Sequence, residues 1–158
     1  VPEQRTVNIV DGRPADSLPL DDRGLHYGDG LFETLALRDG VPRHWARHYA
    51  RLETGCARLG FECPTADLLL TDLESALPAP VPERLVAKIM VTRGGGGRGY
   101  APPVPSHPRR ILRLSPWPVW PVSHHTEGIE IVCCTTPLGR NPLLAGLKHL
   151  NRLEQVLA

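Results

Sequence analysis

Prolines crowd two stretches of this chain, 78–82 and 102–121. A proline inside a helix or a central strand removes a backbone donor and clashes with its surroundings, so both stretches read as extended connections. Regular structure has to form around them. Val7-Asn8-Ile9-Val10 runs into Asp11-Gly12, and residues 31–37 run towards Asp39-Gly40 and Val41. Asp-Gly accepts the positive φ angles of tight hairpin turns, which predicts two hairpins. Trp45, His48, Tyr49, Leu52, Cys56 and Leu59 recur at helical spacing before Gly60, predicting a helix over 44–59. A second helix is predicted over 67–77, after Pro64-Thr65, and strands over 84–92, 110–114 and 129–135. Residues 21–30, with three glycines, read as a loop. Residues 149–158 carry Leu150, Leu153, Val156 and Leu157 in an amphipathic helical pattern, and the sequence stops inside it, as expected of a chain that continues. Helices and strands mix without a βαβ repeat, so the expected fold class is α+β with a largely antiparallel sheet and flanking helices.

Charge and composition exclude several functions. Among 158 residues, 41% are apolar, 22% charged and the formal net charge is +1, which argues against disorder, collagen and a global field for nucleic acid or an anionic membrane. No apolar run approaches the roughly 20 residues of a spanning helix, and no basic-then-apolar leader opens the sequence, so a soluble, cytoplasmic protein is expected. Cys56, Cys63, Cys133 and Cys134 form no C-x-x-C pair and read as small buried apolar residues. Lysine occurs only at Lys88 and Lys148 against sixteen arginines. Any chemistry that needs a side-chain amine is thereby confined to two positions.

The glycine run 94–99 formally contains G-x-G-x-x-G, but Pro102, Pro103 and Pro105 forbid the helix that a dinucleotide fingerprint requires. Arg93 and Arg98 around that flexible turn suit bidentate capture of a carboxylate, a solvated hairpin tip being the alternative. His44 and His48 could share a helical face, yet no third ligand is indicated and no metal is expected. Arg47 and Arg51, one turn apart, are either surface charge or a phosphate anchor. Lys148 sits in the apolar context Leu143-Leu144-Ala145-Gly146-Leu147 and Leu150. Desolvation lowers an amine's pKa and yields the neutral nucleophile that forms a Schiff base with a carbonyl, whereas a snorkelling lysine would merely cover apolar surface. Lys88 alternates with Ala87 and Ile89, as a half-exposed strand residue does.

Asp22-Arg23-Gly24-Leu25-His26-Tyr27-Gly28-Asp29-Gly30-Leu31-Phe32-Glu33-Thr34 resembles the signature of the fold-type IV pyridoxal-phosphate enzymes. His48-Tyr49-Ala50-Arg51-Leu52, the turn from Arg93 to Tyr100, and the run from Leu138 through Lys148-His149-Leu150-Asn151-Arg152-Leu153-Glu154-Gln155 resemble the 4-amino-4-deoxychorismate lyases within that family. Aminotransferases of the same fold share Gly-Asp-Gly but usually lack the last string. The resemblance implies the N-terminal domain of a D-amino acid aminotransferase-like fold over residues 1–115, then a connection and the start of a C-terminal cofactor domain over 116–158. It implies pyridoxal 5'-phosphate carried by Lys148, with Arg51 on the phosphate, Arg98 on a substrate carboxylate, Thr34 assisting proton transfer, and Tyr27 and Tyr100 as pocket walls. The implied reaction converts 4-amino-4-deoxychorismate to 4-aminobenzoate and pyruvate, in folate precursor synthesis, by a homodimer without nucleic-acid or membrane partners. The family's glutamate for the pyridine nitrogen and its Thr/Ser-rich phosphate loop have no counterpart among these residues, so negligible activity is expected of them alone. The other readings are a fold-type IV aminotransferase and an inactive binding or assembly module.

Overall fold

A computed structural model describes residues 6–158. Both Asp-Gly signals become hairpins. β1 (Val7–Val10) turns into β2 (Arg13–Pro14) through Asp11 at φ 50° and Gly12 at φ 80°. β3 (Gly30–Arg38) turns into β4 (Val41–Pro42) through Asp39 at φ 49° and Gly40 at φ 79°. Between the hairpins, the stretch expected as a loop contains one helical turn, α1 (Arg23–Tyr27), because the Asp22 side chain accepts from the Gly24 amide and Gly28 ends the turn in the left-handed region. α2 (Trp45–Leu59) ends at Gly60, φ 74°, where the periodicity stops. α3 (Ala66–Ala76) starts on Thr65, whose hydroxyl accepts from the Leu68 amide. β5 (Arg84–Thr92) and β6 (Arg109–Pro116) flank the second proline stretch's opening.

The strands form one antiparallel sheet in the order β2-β1-β6-β5-β3-β4. Two-residue alternation sends Leu31, Leu35 and Leu37 of β3, Leu85, Ala87, Ile89 and Val91 of β5, and Leu112 and Leu114 of β6 to one buried face. Leu52 and Cys56 of α2 and Leu69, Leu73 and Ala76 of α3 close over it. Each buried leucine, isoleucine or valine among them is worth about 1.5–3 kcal/mol, so this face holds the fold together. Gly55 lets α2 approach β3, since a Cβ there would come within 2.7 Å of the Leu31 side chain. The opposite face carries Phe32 and Lys88, half-buried, and Thr34 and Arg113, exposed.

β4 pairs with only Leu37 and Arg38, leaving the first half of β3 with a free outer edge. Residues 147–150 occupy it. Leu31 bridges His149, the Phe32 amide donates to the Lys148 carbonyl at 2.9 Å, and the Leu150 amide donates to the Gly30 carbonyl at 3.0 Å. Leu147 drops into the core beside them.

Two expected elements differ. Residues 129–135 form no strand: Ile129, Ile131 and Val132 are exposed, and no described strand lies alongside to take their backbone groups. The helix expected over 149–158 shrinks to α5 (Leu153–Leu157), because residues 149 and 150 are drawn to the edge of β3 instead. Among the described residues between 117 and 146 the one regular element is a short α4 (Ser123–Thr126). Cys56 is buried and Cys63 half-buried, but Cys133 and Cys134 are exposed, contrary to expectation, since their segment lies outside the sheet-and-helix core and only touches the end of the exposed α5 through Cys134 and Thr136. No described helix is long and apolar enough to cross a membrane.

Candidate active site

Lys148 reaches its place through the backbone pairing with β3, and its Nζ lies 4.3 Å from the centre of the Phe32 ring. Lys88 Nζ, on β5, lies 5.0 Å from the same ring, and the Arg152 guanidinium 5.4 Å. The ring face is negative and attracts cations, yet three gathered there also repel one another. Burial chiefly holds the Lys148 amine below the usual lysine value; Glu33 opposes this, while Arg51, Arg152 and Lys88 reinforce it. The predicted apolar setting is therefore present, and the rival lysine stands on the same platform.

Glu33 occupies an inward position of β3, where its neighbours are leucines, and its side chain is 2% exposed. Arg51 grips it with Nε at 2.6 Å from Oε1 and Nη2 at 2.5 Å from Oε2, and His48 Nδ1 lies 2.7 Å from Oε2. His48 and Arg51 share a face of α2 because they are three residues apart. Of the Arg51 nitrogens, Nη1 is left without a partner among the described residues, and the side chain is half open to solvent. Thr34 is exposed on the Phe32 face, opposite Lys88 in register. His44 stands at φ 55° as the cap of α2, outside the helical backbone that carries His48, and only His48 reaches Glu33.

Arg98, Tyr27 and Tyr100 gather beyond the start of β3. The two tyrosine rings lie 5.4 Å apart at 59°. Arg98 is exposed beside a hollow of about 360 Å³ shared with Asp21, Arg23, His26 and Tyr27. Arg93 does not share its role: it is buried, pairs with Asp29 at 2.8 Å and donates to the carbonyls of Leu59 and Gly60. Asn151 links the two groups, donating from Nδ2 to the Gly28 carbonyl at 3.2 Å, three residues from Lys148.

Several residues that shape this region escaped the sequence reading. Glu33 was signalled by a charge at an inward strand position. Arg23 and Asp29 sit in the glycine signature, which drew attention to its glycines. Arg58 donates to the carbonyls of Pro142, Leu143 and Ala145, tying the turn before Lys148 to α2, and nothing local in sequence announces it.

Residues 30–158 match the amino-transferase class IV family, and the chain belongs to that family. Its fold is the fold-type IV aminotransferase-like one expected from the signature. A curated relative, aminodeoxychorismate lyase of Vibrio harveyi, is 37% identical over 150 residues, covering 94% of this chain and 54% of its own length. The crystal structure of 4-amino-4-deoxychorismate lyase from Pseudomonas aeruginosa is 55% identical, with a TM-score of 0.86 over 96% of this chain and 55% of its own. A hypothetical aminotransferase from Mycobacterium tuberculosis, in its PLP-bound form, shares the fold at 23% identity and a TM-score of 0.56, over 72% of this chain and 41% of its own. The chain thus spans about half the length of the lyases it matches.

Proposed function

We propose that this chain carries the lysine-bearing part of a pyridoxal-phosphate-dependent lyase that converts 4-amino-4-deoxychorismate to 4-aminobenzoate and pyruvate. The observation that supports this most is the Lys148 amine, desolvated over Phe32 and fixed by two backbone hydrogen bonds to β3. These residues fit the cofactor: a depressed amine suits its carbonyl carbon, and a half-exposed Arg51 with an uncommitted Nη1 suits its phosphate. When bound, pyridoxal phosphate supplies a ring that accepts the electron pair left behind at the amine-bearing carbon.

Lys148 would hold the cofactor until the substrate's 4-amino group takes its place. Its released Nζ then removes the C4 proton and returns a proton to the departing enolpyruvate, with Thr34 as relay. Arg98 orients the substrate through a carboxylate. The substrate is a dicarboxylate, and Lys88, beside Lys148 on Phe32, is proposed as the cation for its second charge. Tyr27 and Tyr100 wall the approach. Formation of an aromatic ring drives the elimination. Residues 1–115 are proposed as one domain and 116–158 as the connection into a second; a cytoplasmic homodimer is the proposed setting.

Borohydride reduction of the full-length protein with pyridoxal phosphate, followed by peptide mass mapping, tests the assignment. A pyridoxyl group on Lys148 is expected, and one on Lys88 alone would overturn it. The family name keeps an aminotransferase as the second reading. Conversion of the amine form of the cofactor by 2-oxo acids, without 4-aminobenzoate formation, would favour that reading.

A further inference from the structure

Residues 97–101 carry Arg98 and Tyr100, yet they belong to no helix or strand. Among the described residues, the hydrogen bonds that hold this segment all come from one side chain. Arg23 donates from Nη1 to the carbonyls of Gly99 at 3.2 Å and Ala101 at 3.4 Å, and from Nη2 to that of Tyr100 at 2.9 Å. Its Nε donates to Asp29 at 2.9 Å, and its guanidinium lies 4.8 Å from the Tyr27 ring centre. The side chain is 5% exposed. Asp29 is held in turn by Arg93, which is anchored on the end of α2. Gly96 keeps the path open, because a Cβ there would come within 2.8 Å of Arg23 Cδ.

We propose that Arg23 is a positioning residue for substrate recognition: its buried fork fixes the 97–101 segment and thereby the places of Arg98 and Tyr100. This rests on the reading of Arg98 as the group that takes a substrate carboxylate. A planar guanidinium serves two or three carbonyls at once, whereas a lysine ammonium keeps the charge without the fork. Glycine-rich backbone has the most conformational freedom to lose, so a segment of this composition depends on such a tie.

The full-length protein and its Arg23→Gln, Arg23→Lys, Arg98→Ala and Arg23→Gln/Arg98→Ala variants test this by two measurements. The first is the rate of tryptic cleavage after Arg98, with cleavage after Arg140 as the internal control. Arg23→Gln is expected to accelerate cleavage after Arg98 roughly tenfold or more, the scale of losing charge-assisted hydrogen bonds, with the Arg140 site unchanged and the pyridoxyl label still on Lys148. Arg23→Lys should fall between, and is read alone if the glutamine variant does not fold. The second is steady-state 4-aminobenzoate formation: Arg23→Gln should raise KM roughly tenfold with kcat nearly constant, and should raise it by clearly less than that once Arg98 is alanine, the remainder acting through Tyr100. Unchanged cleavage after Arg98 in both Arg23 variants, or KM effects of the two sites that multiply in full, would overturn the proposal. A KM unaltered by Arg98→Ala alone would instead overturn the reading of Arg98, and Arg23's hold on the segment would then be judged by the cleavage rates.

Discussion

A carboxylate at an inward position of a strand has to find donors, and Glu33 finds two on successive turns of α2. Replacing it with glutamine leaves Arg51 and His48 with a weaker acceptor. We expect Glu33→Gln to lower stability by about 1.5–3 kcal/mol, the worth of hydrogen bonds to a charged group, in thermal melts. In the full-length protein the loosened Arg51 should also weaken cofactor retention while KM for substrate stays put. Lys148 makes an opposite prediction. Its folded amine lies below the ordinary value of 10.5, so between those two values the unfolded chain binds more protons and stability rises with pH. Below that window the desolvated charge is a constant loss. Lys148→Met should therefore raise the melting temperature at about pH 7 and flatten the rise towards about pH 10; an unaltered pH dependence would show an ordinary amine at this position. The desolvated setting of Lys148 was legible in the sequence because only two lysines exist and one lies in an apolar run. Glu33 stood out only as a charge at an inward strand position, and its pairing was not legible because the partners lie 15 and 18 residues away on another element.

The hairpins and α2 were readable for a local reason: Asp-Gly and the helical period act within a few residues. Whether 129–135 is a strand depends instead on a neighbour to receive its hydrogen bonds, and an alternating apolar pattern carries no information about that neighbour. The same holds for residues 149 and 150, whose helical pattern yields to the open edge of β3. Between β5 and β6 the turn is set by tight approaches. Gly94 stands at φ 86°, and a Cβ there would overlap the His107 carbonyl oxygen. Gly94→Ala should cost at least about 1–3 kcal/mol from the backbone conformation alone, measured by urea unfolding. Burial pushes the Asp29 carboxyl up, but hydrogen bonds from Arg93 and Arg23 outweigh it and hold the group below its ordinary value of 3.8. That stabilisation is present above 3.8 and is lost as pH falls through the lower folded value. Asp29→Asn should be less stable near neutrality and should show a shallower acid-side decline, and a decline as steep as the parent's would count against the pairing.

Across the molecule, the sheet and two helices form a single buried layer, while the residues from 117 to 143 lie mostly outside it. Trp120, Val122, Ile131, Leu153 and Val156 are all exposed, and apolar surface of that kind seeks cover. A polypeptide of these 158 residues is expected to self-associate with rising concentration in sedimentation velocity, and polar substitutions at Trp120 and Ile131 should reduce the association. The expected α+β architecture was legible because most of its strands follow local patterns; the exposure of Trp120, Val122 and Ile131 was not, since what covers a surface is not written next to it. The attachment of residues 147–150 to β3 carries another implication. The Lys148 amine takes its address from two main-chain hydrogen bonds, one buried leucine and the Arg58 grip on residues 142–145, not from the longer path that leads to them. Evolution can therefore lengthen, shorten or rewrite the stretch before Arg140 without moving that amine, and a protein nicked there should hold together as two pieces that behave as one.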